Sequence, residues 1–209
     1  VQELADLTHK AFDLADKYRI PVIILGDGML GQMQEPVEFK HEAPAELPLR
    51  SDALRGAKGR PSRIVRTCTS NVSELEELNW SLYRRYQLIE KKETTCETFL
   101  VDDAELIVVA YGIAARIAKG AIKNARANGL KVGLARPITL WPFPSERIRE
   151  LASTAKCSLV FEMNMGQMLE DVQLALKGEG EVFFYGRPGG VIPTPSEVLR
   201  VISRYYYQR

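Results

Sequence analysis

The chain has 209 residues, 45% of them hydrophobic and 26% charged, the balance of a folded globular protein of one to two domains. Its 28 basic and 27 acidic residues cancel, which excludes a global field for nucleic acid or an anionic membrane surface, and no apolar run is long enough to span a bilayer. Three cysteines without CxxC spacing and only two histidines exclude a disulfide framework and a Cys/His metal site, so no metal ligand is assigned and a cytoplasmic setting is expected.

Leu4, Leu7, Ala11, Leu14, Ala15 and Tyr18 recur at helical spacing. The β-branched run Ile20-Pro-Val-Ile-Ile-Leu-Gly26 follows and reads as a strand. A strand apolar at nearly every position needs cover on both faces. One αβ unit cannot supply that, so residues 1–40 are expected to be the tail of a larger α/β domain. The Gly26-Asp-Gly-Met-Leu-Gly-Gln32 turn ends this strand, and Asp27 and Gln32 are expected on the side that faces a cofactor or substrate.

Residues 41–72 read as a linker, because Pro44, Pro48 and Pro61 break any periodicity. Within it, Arg50, Arg55, Lys58, Arg60, Arg63 and Arg66 form a basic run, either a solvated loop or a clamp for an acidic partner or a phosphate. Ser73-Glu-Leu-Glu76 has the form of a capping box. It predicts a connecting helix over 73–92, within a connecting segment 73–99, with Leu75, Leu78, Leu82, Tyr86 and Ile89 as its buried stripe. Trp80, Tyr83 and Tyr86 are expected to be packing residues rather than a base-stacking platform.

From residue 100 to 209 strands and helices alternate. Strands are predicted at 106–111, 131–136, 158–162 and 181–185, and helices at 113–128, 144–155 and 166–177. A last helix opens on Thr194-Pro-Ser-Glu197, with an N-cap hydroxyl, a proline in the first turn and a capping-box glutamate. This alternation predicts a complete parallel α/β domain with helices on both faces.

In such a sheet ligands and partners meet the carboxyl ends of the strands. The interface candidates there are Arg116 after Gly112, Trp141 between Ile138 and Pro142, Glu162 and Asn164 after the third strand, and Arg187 after the fourth. Gly112 with Arg116 could take an anion, but no glycine-rich phosphate fingerprint is present. Trp141, beside Pro142 and Pro144, is either an apolar anchor for a partner or a wedge under its own domain. Glu162 and Asn164 lack the partners that nucleophilic or acid–base chemistry requires, so no catalytic residue is assigned.

Six runs carry a more specific signal. They are Pro21-Val-Ile-Ile-Leu-Gly-Asp27, Leu54-Arg-Gly-Ala-Lys-Gly-Arg60, Val109-Ala-Tyr-Gly112, Arg136-Pro-Ile-Thr-Leu-Trp-Pro-Phe-Pro144, Glu162-Met-Asn-Met-Gly-Gln167 and Gly186-Arg-Pro-Gly-Gly-Val-Ile-Pro193. In this order the chain resembles the alpha subunit of the 2-oxoacid:ferredoxin oxidoreductases, nearest the branched-chain, 2-ketoisovalerate type. The resemblance implies a partial pyrimidine-binding-type α/β domain over 1–40, then a transketolase C-terminal-like domain over 100–209. It further implies a multisubunit enzyme with thiamine diphosphate, magnesium and iron–sulfur clusters in the whole complex and none bound by this chain alone. Ferredoxin and coenzyme A would be met through that complex. Action on 2-oxoglutarate or pyruvate, and a non-catalytic α/β interaction or anion-binding module, are the alternatives.

Overall fold

A computed structural model describes residues 1–39, 56–62 and 69–208. The basic run falls mostly outside these, with Arg50, Arg55, Arg63 and Arg66 not described and Lys58 and Arg60 exposed. The chain divides into two compact units, Val1–Val22 with Gln34–Gln87, and Ile23–Met33 with Leu88–Arg209. The segment 1–40 is thus shared between the units: its helix belongs to the first and its glycine-rich turn to the second.

In the first unit, α1 (Gln2–Tyr18) turns the predicted apolar stripe inward, burying Ala11 and Tyr18, and stops at Arg19 in the left-handed conformation. The run after it is no strand. No described strand pairs with it, and Ile23, Ile24 and Leu25 are exposed. Strand geometry depends on neighbours to satisfy its backbone, and apolar pattern alone does not provide them.

The helix α3 (Val72–Glu93) follows a short α2 (Gly28–Gln32). Its start differs from the predicted capping box. Asn71 is the cap, its side-chain oxygen accepting from the Ser73 and Glu74 backbone N–H groups, while Glu74 accepts from Asn71 and Thr69. Its stripe is also shallower than predicted. Ile89 is buried, yet Leu78 and Tyr86 are exposed, as are Trp80 and Tyr83, which meet edge to face. Among the described residues the first unit holds only α1 and most of α3, too little apolar surface to cover every face.

The second unit is built on a five-stranded sheet of β1 (Cys96–Phe99), β2 (Leu106–Val109), β3 (Val132–Pro137), β4 (Cys157–Glu162) and β5 (Glu181–Gly186). The order is β1-β3-β2-β4-β5, with β2 to β5 parallel and β1 antiparallel to β3. The edge strand β1 was absent from the sequence prediction, where its four residues sat in the connecting segment.

Helices α4 (Gly112–Ala127) and α7 (Pro195–Tyr207) pack on one face of the sheet, around Ile122, Leu134 and Phe161. Helices α5 (Ser145–Thr154) and α6 (Gln167–Leu176) pack on the other, around Ile148, Val160 and Val172. Each such aliphatic or aromatic side chain contributes about 1.5–3 kcal/mol on burial. The predicted capping box of α7 is present in full, with Thr194 and Glu197 bonded in both directions. Because α4 leaves β2 toward one face and α6 leaves β4 toward the other, the chain diverges beyond the carboxyl ends of the paired strands β2 and β4, the place where open α/β sheets offer a crevice.

Candidate functional site

Tyr111, two residues past β2, is the N-cap of α4, and Gly112 opens that helix with φ 56°. The free N–H groups of a helix start carry partial positive charge and call for an anion. Here the anion is internal. Asp27 Oδ2 accepts the Ile113 backbone N–H at 2.9 Å, and its Oδ1 accepts the Leu30 N–H at 2.8 Å, capping α2 as well. A Cβ on Gly112 would stand 2.9 Å from Asp27 Oδ2, so a side chain there would shift the carboxylate, and the positive φ itself favours glycine.

Across the crevice the same device is repeated. Glu162, at the end of β4, is fully buried, and its carboxylate accepts the N–H groups of Met168 and Leu169 at 3.0 and 3.1 Å. These N–H groups belong to the first turn of α6, whose entry turns on Gly166 at φ 117°. Asn164 links the two sides of the crevice. It accepts from Gly166 N–H at 3.2 Å and donates to the Tyr111 hydroxyl at 3.2 Å. Burial, and next the Glu162 charge, push the Tyr111 phenol above its ordinary range, so it stays a neutral hydroxyl.

The remaining candidates surround this centre. Arg187 donates its backbone N–H to Glu162 O at 3.0 Å and its guanidinium to the Tyr185 hydroxyl at 3.0 Å, and lies 3.5 Å from Glu197. Tyr185 in turn stacks on Phe161. Trp141 precedes a cis proline and is 55% exposed, on a loop whose Thr139 hydroxyl accepts the Thr95 N–H at 3.0 Å. Arg116 and Gln32 are exposed on α4 and α2. Met165, Val191 and Ile192, in the loops after β4 and β5, add exposed apolar surface at the same edge.

The structure thus brings Asp27, Glu162 and Asn164 into one framework around the crevice and leaves Gln32, Arg116 and Trp141 at its rim. Tyr111 is the member not singled out from sequence. An aromatic residue ending a strand beside glycine was its only signal. Chemically the framework caps and braces. Asp27 and Glu162 each seat a carboxylate where an incoming phosphate would otherwise be favoured, and no group of three His, Cys, Asp or Glu side chains that could hold a metal occurs among the described residues.

Residues 104–198 match the family described as pyruvate:ferredoxin oxidoreductase core domain II. Ketoisovalerate oxidoreductase subunit VorB of Methanothermobacter marburgensis is 48% identical over 202 residues, covering 97% of this chain and 57% of that protein. The 2-oxoglutarate synthase subunit KorA of the same organism is 32% identical over 234 residues, covering 97% and 61%. In a structure of 2-oxoglutarate:ferredoxin oxidoreductase from Magnetococcus marinus, one chain has the same fold over 66% of this chain and 24% of its own length, with TM-score 0.58 and 20% identity. That structure contains 2-oxoglutarate, coenzyme A and succinyl-CoA. The chain spans a little over half the length of the curated relatives it matches.

Proposed function

Because the chain belongs to the 2-oxoacid:ferredoxin oxidoreductases, we propose that it is the assembly-forming part of an enzyme that oxidatively decarboxylates a branched-chain 2-oxoacid such as 2-ketoisovalerate. In that reaction the 2-oxoacid and coenzyme A give acyl-CoA and carbon dioxide, and two electrons pass to ferredoxin. Relatives named for ketoisovalerate are 47–48% identical, against 26–32% for relatives named for 2-oxoglutarate and 37–38% for those named for pyruvate, which favours the branched-chain substrate. A cytoplasmic setting goes with this reading, and no helix among the described residues is long and apolar enough to cross a membrane.

The observation that carries the assembly role is the pair of seated carboxylates. A diphosphate with magnesium needs free N–H donors and a cluster of oxygen ligands. At this crevice Asp27 takes the Ile113 N–H and Glu162 takes those of Met168 and Leu169, so the residues present do not fit such a site. Cys96 and Cys157 lie on β1 and β4, with β3 and β2 between them in the sheet order, and cannot ligate one cluster together. Thiamine diphosphate, which supplies the carbanion chemistry, and the iron–sulfur clusters are assigned to the other subunits. What this chain offers them is a neutral, partly apolar edge. Trp141 and Met165 are its exposed anchors, Arg187 is braced at its flank, and Gln32 is open toward a cofactor carried by a partner.

Co-expression of the full-length subunit with its partner subunits tests the reading. Viologen reduction should depend on both a 2-oxoacid and coenzyme A, with kcat/KM highest for 2-ketoisovalerate. A loaded complex that turns over no 2-oxoacid would refute the function, and one that prefers 2-oxoglutarate would refute the substrate.

A further inference from the structure

The Ile23–Met33 segment belongs to the second unit although the residues on both sides of it belong to the first. Asp27 is the hydrogen-bonded link that joins this excursion to α4. One oxygen bonds into the excursion at Leu30 and the other bonds Ile113, 86 residues away in sequence. The turn therefore cannot swing about the Asp27 side chain without losing one of the two bonds. On the receiving side, Gly112 leaves open the space that the carboxylate fills. The fit is two-sided, an anion that matches the helix start and a first helical residue that lacks the Cβ which would crowd it.

We propose that Asp27 is a positioning residue, whose carboxylate is the resident anion of the α4 N-terminus and fixes the register of Met29 and Gln32 on the carboxyl edge presented to a partner subunit. This rests on the assembly reading above. Met29 and Gln32 are exposed on α2, the short helix that this clip ties to the start of α4. Without it, α4 presents free N–H groups to solvent and the excursion is released.

The test uses the full-length subunit with its partner subunits and the variants Asp27→Ala, Asp27→Asn and Gly112→Ala. Removing a helix cap of this kind corresponds to about three- to thirtyfold faster opening, read as amide exchange at Leu30 and Ile113. Asp27→Ala should show that increase and a several-fold weaker subunit association by mass photometry, with an unchanged circular dichroism spectrum. Asp27→Asn, which keeps one acceptor, should fall between. Excess formate, a free carboxylate, should restore Ile113 protection in Asp27→Ala and leave Gly112→Ala unrestored, because the added Cβ blocks the seat. Wild-type exchange and association in Asp27→Ala would overturn the proposal, and so would faster exchange with unchanged association. Absence of 2-oxoacid turnover in the wild-type complex would sink the functional reading alone, since exchange, association and formate rescue are read without turnover.

Discussion

Glu162 and Met168 are joined by a 3.0 Å hydrogen bond from the helix start to a fully buried carboxylate. Leu169 donates to the same group at 3.1 Å, so one side chain closes two of the open donors of α6. Glu162→Ala leaves both N–H groups without their acceptor and should cost about 2–4 kcal/mol of stability. Glu162→Gln keeps one good acceptor and should cost about half as much. Urea unfolding of the two variants beside wild type measures the difference.

Gly186 ends β5 where the backbone runs closest to the Asn164 loop. A Cβ there would lie 2.6 Å from Asn164 O and 2.5 Å from Phe184 Cζ. The carbonyl cannot yield without moving the loop that holds Tyr111 and Asn164 together. Gly186→Ala should destabilise by about 1–3 kcal/mol, and it should disturb near-ultraviolet circular dichroism from the tyrosines more than the far-ultraviolet signal.

The antiparallel edge strand brings a pH dependence. Glu97 sits opposite Arg136 in the β1–β3 register and also pairs with Lys119 of α4. Burial opposes its ionisation, but the hydrogen bonds and charges of Lys119 and Arg136 outweigh that and hold its pKa below the ordinary glutamate range. Such a group stabilises the fold above its unfolded pKa, and that contribution is lost as pH falls through the lower folded pKa. Melting temperatures taken between about pH 3 and pH 6 should fall more steeply toward acid for wild type than for Glu97→Gln.

Trp141 gives the plainest test of the rim. At 55% exposure it contributes little to the core, so Trp141→Ala should leave unfolding within about 1 kcal/mol of wild type while weakening association with the partner subunits. Sedimentation of the mixed subunits and thermal melting of the variant are read together. Equal association with and without the indole would remove Trp141 from the interface.

The parts of this fold that were readable in sequence are those set by local chemistry. The α7 start, with Thr194, Pro195 and Glu197, is a complete signal within four residues, and β2 to β5 with their helices follow from apolar periodicity and glycine stops. What was not readable depends on partners distant in sequence. The run at Ile23 to Leu25 has strand composition but no strand beside it among the described residues, and β1 is a short strand defined by pairing with β3 rather than by its own pattern. Asn71 displaced Ser73 as the α3 cap because a side-chain amide two residues earlier could also engage Glu74. At the site, sequence drew attention to Asp27, Glu162 and Asn164 through their strand-end positions. Their bonds to Ile113, Met168 and Tyr111 emerge only when the fold brings strand ends and helix starts together.

The role proposed for the carboxyl edge of the second unit is to bind protein while its helix starts stay closed to phosphate. Hydrogen–deuterium exchange of the full-length subunit, alone, with thiamine diphosphate and magnesium, and with its partner subunits, tests this directly. The account predicts that partners slow exchange in the loops at 138–144, 163–166 and 187–193, while thiamine diphosphate with magnesium leaves these loops and the Ile113 and Met168 amides unchanged. Protection of Ile113 or Met168 by the cofactor alone, with no protection of the loops by partners, would contradict it.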